Sequence, residues 1–173
     1  MDDRAVMAVQ IGRSPRAPAD VVARCHLGLP VVSRVPPILE DGTPFPTRYW
    51  LTCPLATRRI GRLEGEGGVT EMEWRATSDA NFRDRLDEAH RRYAEERDAA
   101  TPPHASPRPS GGVGGTHNGV KCLHAHYADH AAGNDNPVGE AVAQKIEPLD
   151  CAVPCVIIMA GEVISNKGWR EPK

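Results

Sequence analysis

This chain of 173 residues has few aromatic residues. It also lacks a strong excess of positive or negative charge and has no long apolar run. Aromatic residues make up 5% and apolar residues 40%, so we expect a core built mainly from Val, Leu, Ile and Ala. The formal net charge is −2, which argues against the basic face that nucleic-acid binding usually needs. No apolar stretch approaches the roughly 18 residues of a membrane helix. We therefore expect neither a membrane nor a nucleic-acid partner.

Secretion signals are also missing from the sequence. The N-terminal segment is acidic at its start and has too few apolar residues for a signal peptide. In a protein that is not secreted, the five cysteines should be reduced, and their odd number argues against a closed disulfide framework. The sequence therefore predicts a cytoplasmic protein whose thiols are core residues, metal ligands or nucleophiles.

Turn residues and apolar periodicity predict an α+β fold in a single domain, residues 1–173. A helix over 3–11 precedes strands at 21–25, 31–35 and 49–52, and a second helix runs from Pro54 to the glycines at 65–68. Ser78 is predicted to cap a long helix that reaches Arg97. Helices from 117 or 118 to 132 and over 138–146, with a final hairpin over 153–165, complete the prediction. We expect a small mixed or antiparallel sheet covered by three to four helices.

A segment rich in proline and glycine interrupts this pattern at about 101–115. It reads TPPHASPRPSGGVGG and holds four prolines and four glycines. Such composition is typical of a surface loop or linker. We predict that this loop is mobile.

The residues with most chemical potential follow at 111–139, in the stretch GGVGGTHNGVKCLHAHYADHAAGNDNPVG. Thiolates and imidazoles bind Zn, Fe or Cu and also act as nucleophiles, acids and bases. On a helix, Cys122, His126, Asp129 and His130 share an arc of about 100°, and His126 and His130 have the spacing of helical metal ligands. On a strand, Cys122, His124 and His126 would share one face. The candidate catalytic residues are therefore Cys122, His124 and His126, with packing roles as the alternative.

The glycines suggest a second chemistry. A glycine-rich loop that leads into a helix offers free backbone N–H groups and a positive dipole end, which bind phosphate. The candidate anion-binding residues are Gly114, Gly115, Gly119 and Lys121. The pattern departs from a P-loop, because Val120 stands where lysine is needed. A flexible loop that feeds a helix is the alternative.

The other cysteines are weaker candidates by position alone. Cys53 precedes Pro54 at a predicted helix start, where the pKa of a thiol is lowered and its reactivity is raised. Cys25 ends a predicted strand. Cys151 and Cys155 have a spacing that is weak for a metal site and favours packing, although Cys155 would be able to complete a site.

Several motifs together resemble a known family. They are RC at 24–25, LEDGTPFPT at 39–47, YWLTCP at 49–54, GVKCLHAH at 119–126 and NPVG at 136–139. Over residues 5–158 the chain resembles a bacterial family of domains of unknown function, number five hundred and one, which is common in actinobacteria. The resemblance implies that the family positions Cys25, Cys53, Cys122, His124 and His126 form one site, with His130 outside it.

Three hypotheses of function follow. The first is a metalloprotein in which those five residues hold zinc, iron or an iron–sulfur cluster, and an open coordination position would make it an enzyme. The second is a module or enzyme for phosphate or nucleotide ligands at the glycine-rich loop. The third is a non-catalytic partner of the cell-division or polyphosphate machinery. The third rests on the resemblance, since genes of the family often lie near those of such proteins.

Overall fold

A computed structural model describes residues 2–172, and within that range the chain forms six helices and five strands. The helices are α1 (Asp3–Ile11), α2 (Pro54–Gly65), α3 (Gly68–Ser78), α4 (Ala80–Ala100), α5 (Leu123–Ala131) and α6 (Pro137–Ile146). The strands are β1 (Asp20–Arg24), β2 (Pro30–Arg34), β3 (Tyr49–Leu51), β4 (Val156–Met159) and β5 (Glu162–Ser165). The predicted α+β class is confirmed.

The early and late strands form two separate antiparallel sheets. The first has the order β1-β2-β3, with β2 in the centre and buried along most of its length. The second is the hairpin of β4 and β5, which turns at Ala160 and Gly161 as the sequence predicts. The hairpin packs against α1, and the larger sheet packs against α5 through β3.

Capping side chains or a proline mark the starts of three helices. Asp2 accepts a hydrogen bond from the backbone N–H of Arg4 at the start of α1. Pro54 is the first residue of α2, a position where its missing N–H costs nothing. Asn136 accepts from the N–H of Gly139 and caps α6. Local backbone chemistry determines these three starts.

One helix start was predicted wrongly, and one helix was missed. Ser78 does not cap α4; it is the last residue of α3, and its hydroxyl donates back to the carbonyl of Trp74. Asp79 is the cap, since its carboxylate accepts from the N–H of Phe82. Helix α2 ends at Gly65, as the glycines at 65–68 predict. The sequence does not predict that the break is only a tight turn, in which Gly67 has a φ of +90°, and that α3 begins at once.

The helix predicted from 117 or 118 begins later, at Leu123. Gly119 has a φ of +65°, a left-handed conformation that interrupts a right-handed helix. The N–H of Val120 donates to the Glu73 carboxylate instead of a helical carbonyl. Cys122 is therefore the N-cap of α5 and does not lie on its face.

The main core lies between the larger sheet and the helices. Its fully buried side chains include Leu55, Ile60, Tyr93, Leu123 and Val138. Helices α5 and α6 approach closely because Gly139 has no Cβ, which would collide with the backbone carbonyl of His126. A second, smaller core joins Val6, Leu29 and Val156. None of the helices in the described range is long and apolar enough to cross a membrane.

The segment at 101–115 ends in a short 3₁₀ turn at Val113–Gly115. Val113 is fully buried in the main core, and Arg97 donates to the carbonyl of Gly111. These contacts hold the end of the segment against α4. Mobility of the remainder stays a prediction.

Candidate functional site

One group of potential metal ligands stands out within residues 2–172. Atoms of Glu64, Cys122 and His124 lie within 4.8 Å of one another, and this is the sole group of three or more in that range. Glu64 lies in the last turn of α2, while Cys122 and His124 stand at the start of α5. The sequence predicts Cys122 and His124 but not Glu64, because nothing in its local pattern distinguishes this glutamate from its neighbours.

Contacts at both ring nitrogens fix the orientation of the His124 imidazole. Its Nε2 lies 3.1 Å from the carbonyl oxygen of Thr57, which can only accept, so Nε2 carries the proton. Its Nδ1 lies 3.3 Å from Oε2 of Glu64 and 3.9 Å from the sulfur of Cys122. The Nδ1 atom therefore faces both of the other ligand atoms.

The pKa of His124 is raised to about 9. The contact with Cys122 is the largest cause, and the Thr57 carbonyl and the charge of Glu64 act in the same direction, against the effect of burial. The environment thus strongly favours a positive charge at this position. A metal cation bound at Nδ1 would supply that charge in place of the proton.

Glu64 is held in place by the backbone of α5. Its Oε1 accepts the N–H of Leu123 at 2.7 Å, which leaves Oε2 directed at His124. A carboxylate at this point is favoured by the positive end of the helix dipole. The side chain is 27% exposed, so its charge is only partly screened by water.

The glycine-rich candidates lie beside the same helix end. Gly114, Gly115 and Gly119 all adopt left-handed conformations, and Lys121 is exposed. The amide of Val120 is bound to Glu73, just as that of Leu123 is bound to Glu64. Since carboxylates already occupy these donors and repel a second anion, a cation fits this end of α5 better than a phosphate. Anion binding stays a prediction.

A cavity of about 290 Å³ adjoins Cys122 and His124. Tyr49, Trp50 and Thr57 are among its lining residues, and Gly114 forms part of its edge. This volume is close to the lower end of the range for small-molecule sites. A larger cleft of about 530 Å³ lies beside Tyr127 and Glu147. Among the described residues, it contains no group of three potential metal ligands within 4.8 Å of one another.

His126, also a predicted ligand, lies apart from the candidate centre. It is fully buried, its Nδ1 lies 3.1 Å from Oδ1 of Asn136, and its ring packs edge-on against His90. Its Nε2 has no hydrogen-bond partner among the described residues. Burial lowers the pKa of His126 to about 3, so it is neutral at pH 7. His130 is half-buried on another part of the helix.

Cys25 and Cys53 are also separate from Cys122. They line a different small pocket, together with Cys151 and Cys155. The lowered pKa predicted for Cys53 is wrong. Burial raises the pKa of this thiol to about 11, because desolvation outweighs the favourable amides of Leu55 and Ala56.

Comparison with known proteins identifies a family. A family model described as "Protein of unknown function (DUF501)" matches residues 21–144. That range contains Glu64, Cys122 and His124. Neither the curated proteins nor the solved structures compared with the chain gave a match.

Proposed function

We propose a function for this chain, which belongs to the DUF501 family. The description of that family names no activity. The protein binds one transition metal ion through Glu64, Cys122 and His124. Zinc is the ion that best fits a mixed set of one carboxylate, one thiolate and one imidazole. The proposal retains two residues of the predicted five-residue site and adds Glu64.

The convergence of three ligand atoms within 4.8 Å carries this proposal. The hydrogen bond from His124 Nε2 to the Thr57 carbonyl supports it, since metal-bound histidines typically donate their other ring N–H to a carbonyl or carboxylate. The backbone N–H of Leu123 donates to the Glu64 carboxylate and holds it in position. The ligands are thus oriented by the fold before any ion arrives.

Three protein ligands leave one position free in a tetrahedral site. Structural zinc sites fill all four positions with protein ligands, whereas catalytic sites keep one for water or substrate. The cavity beside Cys122 provides access to that position. We therefore assign the centre to metal-assisted activation of water, the chemistry of hydrolytic enzymes, on a small substrate. A thiolate ligand of this kind suits a reducing compartment, and the proposal places the protein in the cytoplasm.

The test is the metal content of the full-length protein, measured by mass spectrometry after purification without chelators. Cys122→Ser and Glu64→Gln should each reduce bound metal by about one equivalent, because loss of one ligand from three weakens the site severely. Glu66→Gln changes an exposed glutamate two residues away and serves as the matched control. Unchanged metal in Cys122→Ser, after reconstitution with zinc, would contradict the proposal.

A second candidate function uses the same two residues without metal. Cys122 is the N-cap of α5 and its sulfur lies beside the imidazole of His124, an arrangement typical of activated cysteine nucleophiles. Under this alternative, Cys122 is alkylated rapidly in untreated protein, and zinc does not protect it. Protection by stoichiometric zinc favours the metal centre.

The two remaining hypotheses stay predictions. A phosphate or nucleotide ligand would raise the melting temperature of the protein in proportion to the logarithm of its concentration. A non-catalytic role with the cell-division or polyphosphate machinery would leave Cys122→Ser fully active in cells. Both measurements are independent of the metal analysis.

A further inference from the structure

Four of the five cysteines meet at one small pocket. Cys25 follows β1, Cys53 precedes α2, and Cys151 and Cys155 lie in the loop before β4. The fold thus brings together thiols from three distant segments. The other lining residues are mostly apolar, so packing alone would be served equally well by alanine or valine at these positions.

Side-chain N–H groups are directed at two of the sulfurs. Nε1 of Trp169 donates to the sulfur of Cys151 at 3.3 Å, and Nε2 of Gln10 donates to that of Cys155 at 3.7 Å. The Arg58 guanidinium lies 4.9 Å from the Trp169 ring and helps to hold the indole in place. A neutral thiol is a weak acceptor, whereas a thiolate bound to metal is a good one. These donors are therefore placed where metal-bound thiolates need them.

Backbone N–H groups donate to a third sulfur, that of Cys53. The amides of Leu55 and Ala56, in the first turn of α2, favour the thiolate of Cys53. Burial opposes them, so without a metal this thiol keeps its proton. A cation in the pocket would remove that penalty, since it neutralises the charge that burial disfavours.

We propose that Cys25, Cys53, Cys151 and Cys155 form a second metal centre, of the all-thiolate type that binds zinc or an iron–sulfur cluster. Each ligating thiol releases its proton to solvent as its metal–sulfur bond forms, and no cysteine is oxidised. The sulfurs are spaced more widely than the Glu64 group. The pocket holds only about 10 Å³, so side-chain rotation must draw the sulfurs onto a single zinc ion, and a cluster would also require the lining side chains to move apart. This centre does not depend on the one proposed at Cys122.

A bound metal here would join the two hydrophobic cores of the molecule. Cys53 belongs to the main core, while Cys155 packs on the small core beside Val156. A closed set of four thiolates has no open position for substrate, so the centre is structural. Its role is to hold the C-terminal hairpin against the larger sheet.

The experiment uses the full-length Cys122→Ser variant, which isolates this centre from the first one. Protein purified without oxygen is analysed for zinc, iron and acid-labile sulfide, and zinc-free samples are titrated with Co²⁺. We expect about one equivalent of zinc or one cluster per chain, with a strong thiolate-to-cobalt charge-transfer band. Zinc without sulfide identifies the single-ion form, and iron with sulfide identifies the cluster. Adding Cys53→Ser should abolish the metal and the band.

Trp169→Phe tests the centre without removing any thiol. Loss of the N–H directed at Cys151 should weaken metal affinity by about tenfold or more. Trp74→Phe, at a tryptophan that is 69% exposed, is the matched control and should have no effect. The proposal is overturned if Cys122→Ser protein neither holds nor takes up zinc, cobalt or a cluster. It is equally overturned if the double variant Cys122→Ser, Cys53→Ser retains the metal and the charge-transfer band.

Discussion

His124 and His126 are two residues apart on the same helix, yet their surroundings shift their pKa values in opposite directions. His124 is partly exposed, and its neighbours Cys122 and Glu64 raise its pKa to about 9. His126 is fully buried beside Asn136 and His90, and its pKa falls to about 3. A positive charge is favoured at one position and excluded at the other.

The comparison teaches that the Cys/His motif serves two purposes. Its first part, Cys122 and His124, lies at the helix start beside a cavity. Its second part, His126 and Asp129, belongs to a buried polar network in which Asp129 accepts from Arg92 at 2.6 Å and from Asn136 at 2.9 Å. Residues in the first part should control metal binding, and residues in the second should control stability.

The largest effect is expected from Asp129→Ala. Asp129 is fully buried, and its removal leaves Arg92 without its closest partner, so we expect a loss of about 3–5 kcal/mol in the free energy of unfolding. Chemical denaturation measures this directly. Asp135→Ala, which breaks a largely exposed pair with Arg85, should cost about 1 kcal/mol or less. Equal losses in the two variants would contradict the buried network.

His126 should contribute strongly to the loss of stability of the metal-free protein below pH 6.5. Between pH 6.5 and about 3 the unfolded state binds a proton at His126 that the folded state does not, so stability falls as pH drops, by at most about 1.4 kcal/mol per pH unit. His90, which faces His126, also has a lowered pKa and acts in the same direction. His126→Gln should flatten the curve in this window. His104→Gln, at an exposed histidine, should leave it unchanged.

His124 should have the opposite and smaller effect. Between pH 6.5 and about 9 the folded, metal-free protein binds a proton at His124 that the unfolded state lacks, so stability falls as pH rises. Because the side chain is partly exposed, we expect a change on the order of 1 kcal/mol. His124→Gln should remove it in chelator-treated protein and also abolish metal binding at Cys122. A variant that kept the wild-type slope would show that Glu64 and Cys122 do not favour the charged imidazole.

The smallest effect is expected from His130→Gln. His130 is half-buried and belongs to neither the Glu64 group nor the buried network of Asp129. The free energy of unfolding should therefore change by about 0.5 kcal/mol or less, and the metal content should not change. Thermal denaturation and metal analysis provide the check. Loss of metal in this variant would revive the His126–His130 ligand pair that helical spacing suggests.

Much of the fold follows from local sequence, and its failures have local causes. The prolines, caps and the alternation of apolar residues correctly predict α1, α2, α6, the sheet strands and the final hairpin. Helix α3 was missed because Gly67 and Gly68 are typical of a helix end, whereas here they only separate two helices. The late start of α5 depends on Glu73, a residue far away in the sequence, which takes the amide of Val120.

The candidate site was predictable only in part for the same reason. Cys122 and His124 stand out by type and spacing, but Glu64 joins them through the packing of α2 against α5, which no short pattern records. The family resemblance implies that Cys25, Cys53, Cys122, His124 and His126 form one site. The fold instead places Cys25 and Cys53 with Cys151 and Cys155, two cysteines beyond the matched range 21–144.

The small core of Val6, Leu29 and Val156 has a consequence for how the molecule opens. Helix α1 and the β4–β5 hairpin lie at opposite ends of the sequence, yet they pack on each other. Such a unit, with few buried contacts of its own, is expected to undergo subglobal unfolding while the main core stays intact. Amide hydrogens of the first helix and the last hairpin should then exchange as one cooperative group. A metal held by Cys53 and Cys155 would merge that group with the rest of the protein.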